Sequence, residues 1–180
     1  MNIIDNAPMS KYTSFRCGGH AKRLVICDSV SELEQVMNEI AESKEEYLFL
    51  GNGSNTLFLD GIYDGTVVTI GKGFDEIEVI DDGDEVRLKC MAAGLLSKIA
   101  KKALEESLSG FEFASGIPGS IGGAVFISAG AYGGEMIDVL ESVELLSPNA
   151  DGKWELKAVP ADNLGLSYRH SRLKETKEIV

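Results

Sequence analysis

Apolar residues recur along this chain in two rhythms. From Val30 onward, Val30, Leu33, Val36, Met37 and Ile40 fall three or four apart, which predicts a helix with one apolar face. Ser29-Val30-Ser31-Glu32 opens that stretch as a capping box, with Ser29 as N-cap and Glu32 three residues on. The helix is expected to end between Ser43 and Glu46. Leu95, Leu96, Ile99, Ala100, Ala103 and Leu104 predict a second amphipathic helix, to about Ser107. The other rhythm is short runs of strand-forming residues. Ala21 to Cys27, Tyr47 to Leu50 and Thr66 to Ile70 read as strands. Ile77, Val79, Val86 and Leu88 flank Asp81-Asp82-Gly83-Asp84, a hairpin signal. Val143 to Leu146 and Trp154 to Val159 read as two more strands around a turn at Ser147 to Gly152.

The order strand, helix, strand over residues 21 to 50 ends on Leu50-Gly51-Asn52-Gly53-Ser54-Asn55. A loop at the carboxyl end of a strand is a common place for a ligand. Gly71-Lys72-Gly73 marks a change of pattern. The expected organisation is therefore two lobes, residues 1–70 and 71–180. The final Lys177-Glu178-Ile179-Val180 reads as a strand that has just begun, so the chain is expected to be cut from a longer one.

Eight of the twenty glycines fall between Gly110 and Gly134. Glycine is costly in backbone entropy, so such density needs a reason. Together with Gly51 and Gly53, this segment suggests a site where main-chain N–H groups cradle an anion such as pyrophosphate. For the first loop alone, a tight connection without a ligand is the competing reading. For the second, Pro118 fixes the backbone before Gly119, and Gly122-Gly123 allows close approach. The competing reading there is a close-packed helix entry. Neither loop is a Rossmann fingerprint or a Walker A loop: no Gly-x-Gly-x-x-Gly opens a helix, and no Gly-Lys-Ser/Thr occurs.

Charge narrows the partners. Seventeen basic against twenty-nine acidic side chains give a formal net charge of −12. Such a surface repels nucleic acid and anionic membranes, while neutral loops can still take a phosphorylated ligand through backbone dipoles. No run spans a bilayer, and the start lacks the basic and apolar segments of a secretory signal, so a cytoplasmic protein is expected. Cys17, Cys27 and Cys90 are widely spaced and read as reduced small hydrophobes. His20 and His170 form no ligand cluster, and no metal is expected.

Five motifs occur in order: Tyr12-Thr13-Ser14-Phe15-Arg16 with Gly18-Gly19; Gly51-Asn52-Gly53-Ser54-Asn55; Ser115-Gly116-Ile117-Pro118-Gly119-Ser120-Ile121-Gly122-Gly123-Ala124; Ala129-Gly130-Ala131-Tyr132-Gly133; and Tyr168-Arg169-His170-Ser171. In this the chain resembles the UDP-N-acetylenolpyruvoylglucosamine reductase (MurB) family. The resemblance covers nearly the whole chain. It implies an α+β, two-lobed FAD-binding fold of the PCMH/vanillyl-alcohol-oxidase type, lacking the family's carboxyl-terminal substrate domain. FAD would be held non-covalently between the lobes by Gly51, Asn52, Gly53, Ser54, Asn55, Ser115, Gly116, Ile117, Pro118, Gly119, Ser120, Gly122, Gly123, Ala131 and Tyr132. NADPH would give a hydride to the flavin, which passes it to the enolpyruvyl double bond of a UDP-sugar in peptidoglycan synthesis. The flavin carries the hard chemistry and the protein supplies position and charge.

Arg169 is the implied catalytic residue, since a fixed guanidinium can stabilise charge that builds on the substrate carboxylate. Tyr168 would line the same site. His20 is read as an ordinary polar residue, and Tyr12, Phe15 and Trp154 as packing residues. Two departures stand out. Ile127-Ser128 replaces the family's usual Met-Asn. The family is also longer, and its proton-donating serine and paired glutamate lie beyond this chain; Ser171 and Glu178 sit in no matching motif. With those groups missing, these 180 residues are expected not to complete the reaction. The alternatives are a non-catalytic flavin-binding module, half of a split enzyme, or an oxidoreductase of the same architecture with another substrate.

Overall fold

The computed structural model describes residues 1–180. The chain divides into two compact units. The first is Met1–Phe74 with Pro148–Glu155, the second Asp75–Ser147 with Leu156–Val180.

The first unit is a four-stranded sheet in the order β1-β2-β4-β3, made of β1 (Asn2–Pro8), β2 (His20–Cys27), β3 (Tyr47–Leu50) and β4 (Ile62–Ile70). β2, β4 and β3 run parallel, and β1 joins antiparallel at the edge. The three parallel strands contain the predicted apolar runs. β1 was not foreseen from the pattern: of its residues only Ala7 is fully buried. Its register with β2 runs from Asn2 opposite Ile26 to Pro8 opposite His20. Backbone pairing to a neighbour makes this strand, and an alternating apolar pattern does not.

Between β2 and β3 lies α1 (Val30–Ser43), against β2. The predicted stripe is the buried one: Leu33, Val36, Met37 and Ile40. The N-cap forms as expected, with the Glu32 N–H donating to Ser29 Oγ at 3.3 Å. The reciprocal half of the capping box does not. Glu32 turns its carboxylate one residue further back, accepting from the Asp28 N–H at 2.8 Å and pairing with the amino terminus. That competing cation draws the side chain past Ser29. Lys44, in the left-handed region at φ +55°, ends the helix inside the expected window.

Met9, Ala21, Leu24, Leu50, Phe58 and Val67 form this unit's core under the loops. Burying each large side chain contributes about 1.5–3 kcal/mol. The segment entering β2 passes over Phe58–Gly61 backbone to backbone: the Gly19 N–H donates to the Leu59 carbonyl at 3.0 Å and the His20 N–H to the Gly61 carbonyl at 2.8 Å. A Cβ on Gly19 would sit 1.9 Å from the Gly61 carbonyl oxygen, so no other residue fits. Trp154 also belongs here. Its ring meets Tyr47 edge to face at 6.3 Å, and its backbone N–H donates to Asn38 Oδ1 at 3.0 Å. Tyr12 packs against the core, but Phe15, expected to pack, is exposed.

The second unit holds the hairpin β5 (Ile77–Asp81) and β6 (Val86–Cys90), turned at the predicted Asp-Gly. α2 (Leu96–Glu105) buries Leu96, Ile99 and Ala103. Leu104, expected on that face, is 77% exposed, because one residue past Ala103 rotates about 100° off the stripe. α3 (Ile121–Phe126), the short pair β7 (Gly130–Ala131) and β8 (Gly134–Glu135), and strands β9 (Ser142–Pro148) and β10 (Trp154–Pro160) follow, and α4 (Leu173–Thr176) comes last. Phe113, Val125, Met136, Leu145, Leu164 and Leu173 share one core with Leu96. Ile179 bridges back to Leu146 and is buried, so the final residues do add strand-like pairing. No helix is long and apolar enough to cross a membrane.

Two outcomes follow from this packing. Gly19→Ala is expected to destabilise the chain by about 3 kcal/mol or more, read as a lower urea midpoint. At pH 8 a maleimide is expected to label Cys17, which is exposed, well before Cys27 and Cys90. Burial pushes both of those thiols up to about 11 and holds them uncharged and shielded. Mass spectrometry of native and unfolded protein separates the two classes.

Candidate functional site

In the first unit, two of the five motifs meet. The Ser14 N–H donates to the Gly53 carbonyl at 3.0 Å. Ser14 Oγ lies 3.4 Å from the carbonyls of both Gly53 and Ser54. Thr13 is buried beneath, its Oγ1 3.4 Å from the Met9 carbonyl. The Gly51–Asn55 loop, which leaves β3, is thus seated on Tyr12–Ser14. Gly53 has φ +64°, and a Cβ there would lie 2.1 Å from the Tyr12 carbonyl oxygen. Close packing accounts for this glycine. Asn52 and Asn55 are exposed, and Gly51 and Ser54 half-buried, so the loop's other side faces outward. None of its five residues carries charge.

The second unit brings the other three motifs together. Ser115-Gly116-Ile117 closes a helical turn, with Ser115 N–H to Glu112 carbonyl and Ile117 N–H to Ala114 carbonyl at 3.2 and 3.1 Å. The chain then crosses the strand-to-helix connection before α2. Leu96 N–H donates to the Gly119 carbonyl at 3.1 Å, and Ile121 and Gly122 donate to the Gly94 and Ala92 carbonyls at 2.8 and 3.0 Å. Ser120, the buried N-cap of α3, makes no side-chain cap bond.

The glycines of this loop do different work. A Cβ on Gly122 would meet Ala92 Cβ at 3.0 Å and its carbonyl oxygen at 3.1 Å, so this position serves close packing. Gly116 is exposed, lies at no positive φ, and a Cβ there would meet nothing within 4 Å. Nothing in the chain requires glycine at that position. A missing side chain with open space before it is what a ligand-facing backbone needs. Ser115 and Pro118 are exposed beside it, and Ile117 packs into the core below.

The fifth motif docks on the far end of α3. Ser171 is fully buried, and its Oγ donates to the Phe126 carbonyl at 2.6 Å. Ser167 and His170 exchange two backbone hydrogen bonds at 3.0 Å, closing a tight turn whose tip is Tyr168-Arg169. Arg169 has φ +56°. Its Nη2 lies 3.4 Å from the Gly130 carbonyl, and its Cζ 5.8 Å from the centre of the Tyr168 ring, which is 79% exposed. Gly130 begins the Gly130-Ala131-Tyr132-Gly133 turn, so Arg169 and Ala131-Tyr132 share one region. Tyr132 is 97% exposed at φ +52°. A non-glycine residue in that region carries strain, which clusters at functional sites.

Sequence reasoning missed part of this surface. An open pocket of about 480 Å³ is lined by Gly110, Glu112, Phe113, Tyr132, Gly133 and Gly134. Of these only Tyr132 is among the residues the resemblance assigns to the cofactor, with Gly133 in the same motif; the glycine cluster is the signal available for the rest. Ser128 is also placed unexpectedly. It is buried at φ +45°, with no partner for its hydroxyl. His20 lies exposed at the start of β2 and joins none of these groups.

The residues present suit a flavin nucleotide. Two exposed, uncharged loops offer main chain and small polar side chains, and Arg169 offers a fixed cation beside an aromatic tip.

Comparison with known proteins accords with this geometry. Residues 21–155 match the family described as FAD binding domain. UDP-N-acetylenolpyruvoylglucosamine reductase of Agathobacter rectalis is 44% identical over all of this chain and 58% of its own length. That of Clostridioides difficile is 43% identical over 99% of this chain and 56% of its own. The chain therefore spans a little over half the length of these relatives. Among solved structures, UDP-N-acetylenolpyruvylglucosamine reductase (MurB) from Thermus caldophilus superposes with a TM-score of 0.77 at 31% identity, over 99% of this chain and 59% of that one. A solvent-stable cholesterol oxidase, 11% identical, superposes with a TM-score of 0.65 over 88% of this chain and 33% of its own, a likeness of fold alone. The fold is the α+β FAD-binding fold of the PCMH/vanillyl-alcohol-oxidase type, as the motifs led one to expect.

Gly116→Ala discriminates the two kinds of glycine. Stability in urea is expected to stay within about 1 kcal/mol of the unsubstituted chain, because the new Cβ meets nothing. Affinity for FAD, measured by fluorescence titration, is expected to fall at least about tenfold if the flavin lies on this backbone.

Proposed function

This chain belongs to the FAD binding domain family, and on that premise we propose that it is the flavin-holding portion of an NADPH-dependent UDP-N-acetylenolpyruvoylglucosamine reductase of bacterial cell-wall synthesis, working in the cytoplasm. The observation that carries the reading is the identity of 36–44% to such reductases over 99–100% of this chain.

FAD, when bound, supplies the capacity to take a hydride from NADPH and pass it to the enolpyruvyl double bond. Everything else falls to side chains and backbone of the protein. Gly51, Asn52, Gly53, Ser54 and Asn55 in the first unit, and Ser115 to Ser120, Gly122, Gly123, Ala131 and Tyr132 in the second, are the residues that would hold it. Neutral loops suit the task. In a chain of net charge −12, the diphosphate of FAD is best met by backbone N–H dipoles, which add no desolvated cation.

Arg169 is the group we assign to the substrate. Hydride addition to an enol ether conjugated with a carboxylate pushes negative charge onto that carboxylate. A guanidinium is always charged and can meet both carboxylate oxygens. Its single 3.4 Å contact with the Gly130 carbonyl orients it and leaves its other donors free. Removing one such donor from a developing anion typically costs a factor of 10² to 10³ in rate. Tyr168 stands beside it as an exposed aromatic wall. The chain covers little more than half of its relatives, so we expect these 180 residues to bind FAD without completing the reduction.

Purified chain mixed with FAD and desalted is expected to keep about one flavin per chain, seen in its visible absorbance. Addition of NADPH and UDP-N-acetylglucosamine enolpyruvate is expected to give no sustained NADPH consumption. A chain that never retains flavin overturns the reading; sustained turnover by these residues alone overturns its second part.

A further inference from the structure

Arg169 reaches its place by an unfavourable route. Its backbone is left-handed at φ +56°, a conformation that side chains with a Cβ seldom take. The turn that carries it is exposed, and Tyr168 at its tip packs only its ring near the guanidinium. Something must hold the turn in this form.

Below the tip, the Ser171 hydroxyl ties the chain to the Phe126 carbonyl at 2.6 Å, and two 3.0 Å backbone bonds join Ser167 with His170. These fix the base of the turn. The His170 N–H bond also holds one side of the Arg169–His170 peptide unit, and its carbonyl side takes no backbone partner. The Arg169 carbonyl oxygen accepts instead from Lys174 Nζ at 2.6 Å. Lys174 stands on α4, whose backbone start is tied down by Lys174 N–H to Ser171 carbonyl at 3.3 Å and by buried Leu173. The neighbouring Glu175 faces His170 Nδ1 at 3.8 Å, and Glu178 is taken by Arg172 at 3.1 Å.

We propose that Lys174 is a positioning residue for Arg169: its ammonium pins the Arg169 carbonyl, keeps the residue left-handed and so aims the guanidinium. The inference rests on the role given to Arg169 above. A charge-assisted bond to a carbonyl is stronger than a neutral one, and it fixes the peptide plane next to the Cα that carries the side chain. Without the Lys174 bond that peptide is held by the His170 N–H alone, so the Arg169 backbone and the Cα–Cβ bond it carries toward Gly130 gain freedom. Lys174 is exposed, so removing its charge leaves no buried gap. The same ammonium also adds a second positive charge next to Arg169.

The test uses Lys174→Met, which keeps the alkyl stem, and Lys174→Arg, which keeps a cationic donor. Amide exchange of His170 and the Nε–Hε resonance of Arg169 are followed by NMR in the 180-residue chain, with and without FAD. Lys174→Met is expected to speed His170 exchange about tenfold and to broaden the Arg169 resonance, with the melting temperature within about 2 °C of the parent. Lys174→Arg is expected to restore both signals. Unchanged His170 and Arg169 signals in Lys174→Met overturn the proposal. So does a general loosening that also reaches the Ala129 and Met136 amides and lowers the melting temperature, since Lys174 would then be merely structural. Failure of the parent chain to retain FAD overturns the flavin reading, and the exchange data still decide the role of Lys174.

Discussion

Backbone lies directly against backbone at the places where this protein builds its loops, and a single methyl group would separate them. Gly19 crosses Phe58–Gly61 with no room for a Cβ, and Gly53 does the same over Tyr12. These crossings fix the first unit's motifs on one another, although they are some forty residues apart in sequence. The gain is not the few hydrogen bonds alone, each worth about 1 kcal/mol net. The crossings also turn a flexible glycine segment into a rigid one, so that its outward side can be preorganised for a ligand at no further entropic cost.

The second unit applies the same device to a helix. Gly122 lets the first turn of α3 settle against Ala92, and Gly119 and Gly94 exchange bonds with the residues that lead into each other's helices. The far end of α3 then serves as the anchor for the Tyr168–Ser171 turn through the Phe126 carbonyl. One short helix thus connects the glycine-rich loop at its start with the arginine turn at its end. Gly116 differs from Gly122: a Cβ there would meet nothing within 4 Å, so packing does not account for it.

Charge is distributed in keeping with this plan. Carboxylates dominate the surface as a whole, and many basic groups are spent on local pairs. Arg87 alone faces Asp82, Glu85 and Glu141. Such exposed pairs contribute little stability. Arg169 is different, since its partners are a carbonyl oxygen and an aromatic ring. Its charge stays uncompensated by any carboxylate at that contact, which is the condition for an anion to take its free donors.

The sequence by itself determined most of the regular elements and the family, and it marked candidate site residues. Helix α1 and the three parallel strands are written in local apolar spacing, because burial of one face is a local, periodic demand. The motif order marks both loops and Arg169. The sequence could not reveal β1, whose partner is a backbone and not a core. Leu104 lies outside the α2 stripe by helix geometry alone, and the apolar identity of the residue concealed this. Nor could the sequence say that Gly53 and Gly122 answer to packing while Gly116 faces open space. All three look alike as letters, and only the position of Tyr12, Ala92 and an empty surface around them tells them apart. The grip of Lys174 on the Arg169 carbonyl is of the same kind: a left-handed residue has no signature in its own identity, and only the folded turn shows what strains it and what holds it.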